Sequence, residues 1–304
     1  MLHGLSCRLH PETHIASIEG MAVASTSPTQ NHILAALRPD DLGRLLHHLE
    51  PFPLPLGWIS HAAGQKEKHL FFLTEGIVSR MYETETGASA AFAFTGREGV
   101  IGVASFLSGE SGPGQAVVIS PGYAYRLDAR MLTSEFEHDG PLPRLLLRYT
   151  QALIMQTGQI AMCNRRHTLE QQLCRLILCC LDRLPSNELM MTQELIARLL
   201  GVRRESVTEV AGKLQQAGKI TYHRGHIAIV DRAQLKAHAC ECYEVVKREF
   251  DRLRLAEDSI GRGGVARTGR RDWQKSVTAS CSGNRSHATR SANPAFANPS
   301  GGRA

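Results

Sequence analysis

Two short amphipathic helical patterns, separated by a glycine, set the strongest constraint on how this 304-residue chain folds. The first pattern begins at Thr192, a residue type that caps helix N-termini, and ends at Gly201, which supplies a left-handed stop. After a turn of three or four residues, a second helix runs to about Ala217, and Gly218 ends it. The inward-facing residues at helical spacing are Leu195, Ile196, Leu199, Val207, Val210 and Leu214. This arrangement predicts a helix-turn-helix.

A basic hairpin follows the second helix. Ile220 and Tyr222 on one side, and Ile227 and Ile229 on the other, alternate around a tip at Arg224-Gly225. A hairpin in this place makes a winged helix-turn-helix, which favours DNA binding. The alternative is a helical pair packed in a core, with charges that only face solvent.

The outward face of the second helix is polar, and its N-terminal end would reach base edges in the major groove. Arginine suits guanine O6 and N7, and glutamate accepts a hydrogen bond from cytosine N4. The predicted base-contacting residues are Arg203, Arg204, Glu205, Thr208 and Glu209. The predicted contacts to the DNA backbone are Thr192, Gln193, Ser206, Lys213, His223, Arg224 and His226.

Residues 56–130 have the pattern of short strands separated by glycine-containing turns, which is typical of a sandwich or barrel. A short helix precedes them, and the run from Pro51 to Pro55 is expected to end helical structure. Residues 142–165 then change period and form a heptad seam. The seam residues are Leu142, Leu146, Tyr149, Leu153, Gln156, Ile160 and Cys163. We expect this helix to pair two chains; the alternative is a helix packed on its own β domain.

Charge is divided unevenly along the chain. Residues 1–164 carry 11 Lys/Arg and 15 Asp/Glu, residues 165–255 carry 16 and 11, and residues 256–304 carry 8 and 3. The net charges are therefore −4, +5 and +5, which indicates two domains with different tasks and a basic tail.

Several classes of protein are disfavoured. No apolar run approaches the roughly 18 residues of a membrane span, and the eight cysteines lack regular disulfide or zinc spacing, so we expect a reduced, cytoplasmic protein. A metalloenzyme of the cupin type needs clustered His and Glu on adjacent strands, and the sequence of the β region shows no such cluster. The sequence also contains no nucleotide-phosphate loop and no serine-nucleophile motif. We therefore expect no enzyme activity.

Metal or oxidant sensing has two candidate pairs, Cys163 with His167 and Cys240 with Cys242. Such residues lie more often in helix cores, so we expect no metal and no cofactor. His61 and His69 offer a weak case for haem.

Taken together, these segments resemble the Crp/Fnr family of bacterial transcription regulators over about residues 30–255. The most specific segment runs from Gly201 to Thr208, and on that match Arg204 and Glu205 would contact bases. The family often has a further base-contacting arginine where this chain has Glu209.

The β region resembles a cyclic-nucleotide-binding roll but lacks its ligand motif. Val103 occupies the position of the ribose-binding glutamate, and no Lys or Arg occurs between Arg97 and Arg126 to neutralise a cyclic phosphate. Cyclic AMP is therefore not expected as a ligand, and the effector-binding residues stay unknown.

The resemblance implies an α+β fold: an N-terminal antiparallel β-roll, a long dimerisation helix and a C-terminal winged helix-turn-helix. The expected domains are an N-terminal extension (1–28), the β-roll (29–141), the dimerisation helix (142–166), the winged helix-turn-helix (167–255) and a disordered basic tail (256–304). We expect a homodimer that binds a palindromic DNA site and works with RNA polymerase. Its β-roll would either sense a signal, such as an unidentified small-molecule effector, or hold the dimer competent. The alternative is a ligand-binding or scaffold protein whose winged helix contacts protein.

Overall fold

The computed structural model of the chain describes residues 27–61, 64–107, 112, 114–137 and 140–262. The predicted N-terminal extension (1–28) and basic tail (256–304) therefore lie mostly outside the described residues. At the junction with that tail, helical structure continues beyond the expected boundary at Leu255, as far as Arg262.

The described part of the N-terminal half contains seven antiparallel strands. They are β1 (Glu50–Leu54), β2 (His69–Leu73), β3 (Ile77–Glu83), β4 (Ser89–Thr95), β5 (Val100–Ile101), β6 (Gln115–Ser120) and β7 (Gly122–Asp128). One sheet has the order β1-β7-β2-β5 and the other has the order β4-β3-β6. The predicted antiparallel β-roll is confirmed.

Strand β1 was not predicted from the sequence. The proline-rich run from Pro51 to Pro55 was expected only to end helical structure, but Glu50–Leu54 pairs with β7 along its whole length. β1 lies at the edge of its sheet, where proline is tolerated because the side away from the partner strand needs no amide donor.

Among the described residues, four short α-helices accompany the roll. They are α1 (His32–Ala35), α2 (Pro39–Leu46), α3 (Val103–Leu107) and α4 (Arg130–Glu137). The first two match the predicted apolar helical spacing before Pro51. Strand β5 has only two residues, because Val103 begins α3.

The C-terminal half begins with the long helix α5 (Pro141–Arg166). The elements that follow are α6 (Leu169–Leu181), β8 (Glu188–Met190), α7 (Gln193–Leu200), α8 (Arg204–Gln216), β9 (Ile220–His223), β10 (His226–Ile229), α9 (Arg232–His238) and α10 (Cys242–Arg262). The hairpin β9–β10 gains a third strand, β8, which pairs with β10.

The buried core is continuous between the two halves. The apolar cluster that contains Ile196, Val207 and Leu214 of the helix-turn-helix also contains Ile77 and Phe94 of the β-roll. A second cluster lies between the roll and the N-terminal part of α5. No helix in the described part of the chain is long and apolar enough to cross a membrane.

Candidate nucleic-acid interface

Helices α7 and α8 form the predicted helix-turn-helix, and local chemistry explains their boundaries. The Thr192 side chain accepts a hydrogen bond from the Leu195 amide at 3.2 Å and so caps α7. Gly201 ends α7 with φ 69° and ψ 35°, a left-handed conformation that costs a residue with a Cβ about 1–2 kcal/mol. Gly218 has φ 66° just beyond α8. The predicted inner face is present, with Ile196, Leu199, Val207 and Leu214 buried.

The N-terminal end of α8 is open to solvent. Its cap residue is Arg203, whose side chain makes no capping hydrogen bond. Unsatisfied first-turn amides and the helix dipole together favour an anion at such an end. The five predicted base-contacting residues are all exposed: Arg203, Arg204, Glu205, Thr208 and Glu209. These side chains are therefore accessible to a partner.

Two side-chain contacts on this surface were not predicted. Thr208 Oγ1 donates to Gln193 Oε1 at 2.7 Å and joins α8 to α7. Lys213 Nζ lies 2.7 Å from Glu209 Oε1. This hydrogen bond and the charge of Lys213 hold the pKa of Glu209 below its ordinary value. Lys213 is therefore already paired with a carboxylate in the absence of DNA.

The hairpin tip lies beside the start of α7. Arg224 has φ 47° and Gly225 has φ 86°, as expected of a two-residue turn of type I′. The Gly225 carbonyl accepts a hydrogen bond from the Met191 amide at 2.7 Å, and a Cβ on Gly225 would lie 3.7 Å from Thr192. The structure thus brings Thr192 and the tip together, although 32 residues separate them in sequence.

Most predicted backbone-contacting residues are accessible. Thr192, Lys213, His223, Arg224 and His226 are exposed, whereas Gln193 and Ser206 are half-buried. Gln193 and Ser206 are therefore less accessible to the DNA backbone than predicted.

Two residues that support the hairpin were missed. The Gln215 side chain accepts a hydrogen bond from the Tyr222 amide at 2.7 Å, and the Tyr222 hydroxyl donates to the Met191 carbonyl at 2.8 Å. Burial raises the pKa of Tyr222 to about 12, so the hydroxyl stays a donor at neutral pH. The alternation of Tyr222 with Ile220 predicted its burial but not its partner.

The helix-turn-helix also contacts the β-roll. Ser89 Oγ donates to the Arg198 carbonyl at 3.4 Å, and a Cβ on Gly201 would lie 3.2 Å from that of Ala90. The C-terminal end of α7 and its turn thus pack on the start of β4. Their position is set by the β-roll as well as by the domain's own core.

The heptad seam of α5 faces inward, which corrects the predicted dimer residues. The six residues are buried within this chain: Leu142, Leu146, Tyr149, Leu153, Gln156 and Ile160. Gln156 Oε1 accepts a hydrogen bond from the Phe94 amide at 3.0 Å, and Tyr149 Oη lies 2.8 Å from Thr95 Oγ1. The seam therefore packs on β4 and its surroundings, which is the alternative that the sequence left open.

A different line of residues on α5 is exposed. It consists of Leu147, Gln151, Ile154, Gly158 and Ala161, which we call the exposed stripe. Its members follow one another at alternating intervals of four and three residues, the spacing of a coiled-coil seam. Leu147 is 49% exposed and Ile154 is 68% exposed. Two large apolar side chains on this face are therefore exposed in the described part of the chain.

A cavity of about 350 Å³, the β-roll cavity, lies between the roll and α5. Its lining includes Arg80, Glu67, Val103, Leu153 and Ile154. Arg80 is only 9% exposed, and its Nε has no hydrogen-bond partner. No cation was expected here, because the segment between Arg97 and Arg126 contains no Lys or Arg, but the fold brings Arg80 to the cavity from β3. His61 Nδ1 lies 3.2 Å from the buried Glu67 carboxylate, so the lining also carries an acidic group.

Comparison with known proteins agrees with this architecture. Residues 171–238 match the model of the Crp-like helix-turn-helix domain. No curated protein sequence matches the chain.

Solved structures of similar fold cover most of the described part. FixK2 from Bradyrhizobium japonicum aligns with a TM-score of 0.56 at 17% identity, over 63% of this chain and 98% of that one. A transcriptional regulator of the Crp/Fnr family from Eubacterium rectale aligns at 0.55 and 16% identity, over 68% and 96%. The c-di-GMP responsive global regulator CLP from Xanthomonas campestris aligns at 0.52 and 18% identity, over 63% and 99%.

Proposed function

Because the chain has the fold of the Crp/Fnr regulators and carries a Crp-like helix-turn-helix domain, we propose that it is a transcription regulator that binds specific DNA sequences through α8 and the hairpin β9–β10. The observation that carries the proposal is the exposed N-terminal end of α8. Arg203 and Arg204 are exposed there, and the Arg203 side chain does not cap the helix, whose inner face carries the buried Val207 and Leu214.

The base contacts are assigned to Arg203, Arg204, Glu205, Thr208 and Glu209. Arginine and glutamate at this end of the helix can distinguish guanine and cytosine in the major groove. Thr208 is held by Gln193, so its methyl group has a defined direction. The hairpin tip and Thr192 lie together and would contact phosphates at the edge of the groove.

We further propose that the active form is a homodimer paired through the exposed stripe. Two recognition helices would then enter successive major grooves about 34 Å apart on a palindromic site. Ile154 belongs both to this stripe and to the lining of the β-roll cavity. A small molecule in the cavity would therefore contact the dimer surface directly and change the spacing of the two helices.

The test begins with selection of duplex DNA from a random pool by the full-length protein. The enriched sequence is then used in fluorescence anisotropy titrations with the wild-type chain and Arg204→Ala. We expect a palindromic site, and the variant should lose about 1–3 kcal/mol, mainly at the guanine position that Arg204 contacts. Affinity should fall steeply as salt rises.

Unchanged sequence-specific binding by Arg204→Ala would show that this base-contact assignment is wrong. If no sequence is enriched and affinity for DNA does not depend on salt, the alternative of a winged helix that contacts protein is favoured.

A further inference from the structure

Four potential metal ligands converge where α5 meets the C-terminal helix α10. Cys163 lies in the last turn of α5, His167 directly follows that helix, Cys240 lies between α9 and α10, and Cys242 begins α10. One donor atom from each side chain lies within 4.8 Å of all the others. We call this group the Cys–His cluster. The two pairs are brought together across more than 70 residues of sequence.

The three thiols are set apart from the rest of the core. Cys163, Cys240 and Cys242 form a separate buried cluster whose members are all cysteine. Cys174, Cys179 and Cys180, by contrast, pack among the many apolar side chains of the large core. The thiols of the Cys–His cluster are therefore gathered around one another and do not simply fill space between helices.

The spacing fits one small tetrahedral ion. Zinc binds thiolate at about 2.3 Å and imidazole nitrogen at about 2.0–2.1 Å, so tetrahedral ligands lie about 3.6–3.8 Å apart. Cys163 Sγ lies 3.5 Å from Cys240 Sγ, and Cys242 Sγ lies 3.5 Å from His167 Nδ1. A disulfide would need the two sulfurs at about 2.05 Å.

The surroundings orient the ligands as in known zinc sites. While Nδ1 of His167 faces the thiols, its Nε2 lies 3.3 Å from the Glu241 carboxylate. Ligating histidines commonly donate their second ring N–H to a carboxylate in this way. On the other side, Gln159 Nε2 donates to Cys242 Sγ at 3.0 Å.

Charge is also balanced. A zinc ion with three thiolates and a neutral imidazole carries a net charge of minus one, which is costly to bury alone. Arg175 is 3% exposed, its Nε has no hydrogen-bond partner, and its charge acts on Cys163. A buried guanidinium with an unsatisfied nitrogen would thus offset part of the negative charge of this complex.

We propose that Cys163, His167, Cys240 and Cys242 bind one zinc ion in a closed structural site. All four coordination positions are supplied by the chain, and this leaves no open position for catalysis. The ion joins the C-terminal end of α5 to α10 at the point where α5 passes into the helix-turn-helix domain. It stabilises that junction because the ligand pairs are far apart in the unfolded chain. The site does not depend on the proposed DNA binding.

Metal content of the full-length protein tests the proposal first. The protein is purified under reducing conditions without chelator and analysed by inductively coupled plasma mass spectrometry, with about one zinc per chain expected. After zinc is removed, Co²⁺ alone should restore the site and give the visible absorption of a tetrahedral ion and a sulfur-to-cobalt charge-transfer band. Absence of bound zinc together with absence of this cobalt spectrum would overturn the proposal. So would a Cys163–Cys240 disulfide in protein that binds neither ion.

Variants identify the ligands. Cys240→Ser should lose the zinc, whereas the matched control Cys174→Ser, a buried thiol outside the cluster, should retain it. His167→Cys should keep zinc and strengthen the charge-transfer band of the Co²⁺ form, and His167→Ala should lose most of the metal. Glu241→Gln should weaken zinc binding by roughly 10-fold or more, because it removes the carboxylate beside the ligating imidazole.

Stability provides a readout if a cysteine variant does not fold. A zinc chelator should lower the melting temperature of the wild-type chain and of Cys174→Ser, and added zinc should restore both. An unchanged melting temperature in chelator, with zinc removal verified, would contradict a structural role for the ion.

Discussion

Glu98 and Arg183 form a buried ion pair, with Arg183 Nε 2.7 Å from Glu98 Oε1. The two side chains are 14% and 8% exposed. Arg183 also donates to the Cys179 carbonyl at 2.7 Å, and its guanidinium lies over the Phe250 ring. Because Glu98 precedes β5 and Arg183 follows α6, the pair joins the β-roll to the helix-turn-helix domain.

We expect Glu98→Ala to destabilise the chain by about 3–5 kcal/mol, because it leaves the Arg183 charge buried and without its carboxylate. Urea unfolding measures this loss. The matched control is Arg44→Ala, which removes the more exposed pair with Asp41 and should cost no more than about 1 kcal/mol. Equal losses from the two variants would mean that the buried pair does not hold the domains together.

The hairpin tip should contribute affinity without sequence preference. Arg224→Asn removes the positive charge, and asparagine can adopt the positive φ of this position. We expect uniform weakening on all DNA sequences and a salt slope smaller by about 1, as for the loss of one phosphate contact. Anisotropy titrations on the selected site and on a scrambled duplex measure both quantities. A loss confined to the selected site would instead place Arg224 on a base.

The exposed stripe should hold the dimer. Ile154→Glu places a charge on the face that we assign to the partner chain. Loss of a central apolar contact costs roughly 2 kcal/mol or more, so the dimer affinity should fall about 30-fold. Sedimentation velocity over a range of concentrations measures the shift to monomer. Leu46→Glu, on the exposed apolar residue of α2, should leave the dimer intact. A dimer unchanged by Ile154→Glu would exclude this face.

Two glycines of the helix-turn-helix should respond oppositely to alanine. Gly201→Ala should destabilise the chain by about 1–2 kcal/mol, because the left-handed backbone is strained for alanine. The new Cβ would also approach Ala90 of β4 closely. Gly212 lies within α8 with open space at its Cβ, so Gly212→Ala should stabilise by roughly 0.5–1 kcal/mol. Thermal unfolding of both variants tests the sign, and stabilisation by Gly201→Ala would contradict the turn geometry.

Cyclic AMP should not bind at micromolar concentration. Arg80 supplies the β-roll cavity with a cation, but Glu67 also lines it and opposes a cyclic phosphate. Isothermal titration of the wild-type chain and of Glu67→Gln tests this explanation. Tight binding to the wild type would refute it, whereas binding that appears only in Glu67→Gln would identify the carboxylate as the reason for exclusion.

The winged helix-turn-helix could be predicted from the sequence alone. Thr192, Gly201 and the Arg224-Gly225 turn act through interactions with residues close in sequence, so cap, stop and hairpin can be predicted from local chemistry. The glycine-punctuated strands likewise predicted the β-roll, apart from β1, whose prolines disguised an edge strand.

The partner of each buried or exposed face, by contrast, depends on how distant segments of the chain pack together. A heptad pattern shows that one face of α5 is buried, but not whether a second chain or the same chain covers it. In the structure the same chain does so, and the Gln156 side chain at a seam position accepts a hydrogen bond from the Phe94 amide. Arg80 reaches the β-roll cavity from β3, outside the segment between Arg97 and Arg126 in which a phosphate anchor was expected. Cys163 and Cys240 lie 77 residues apart, and no local spacing joins them. Such contacts depend on how separate elements pack, because side chains distant in sequence meet only after the chain has closed the loops between them.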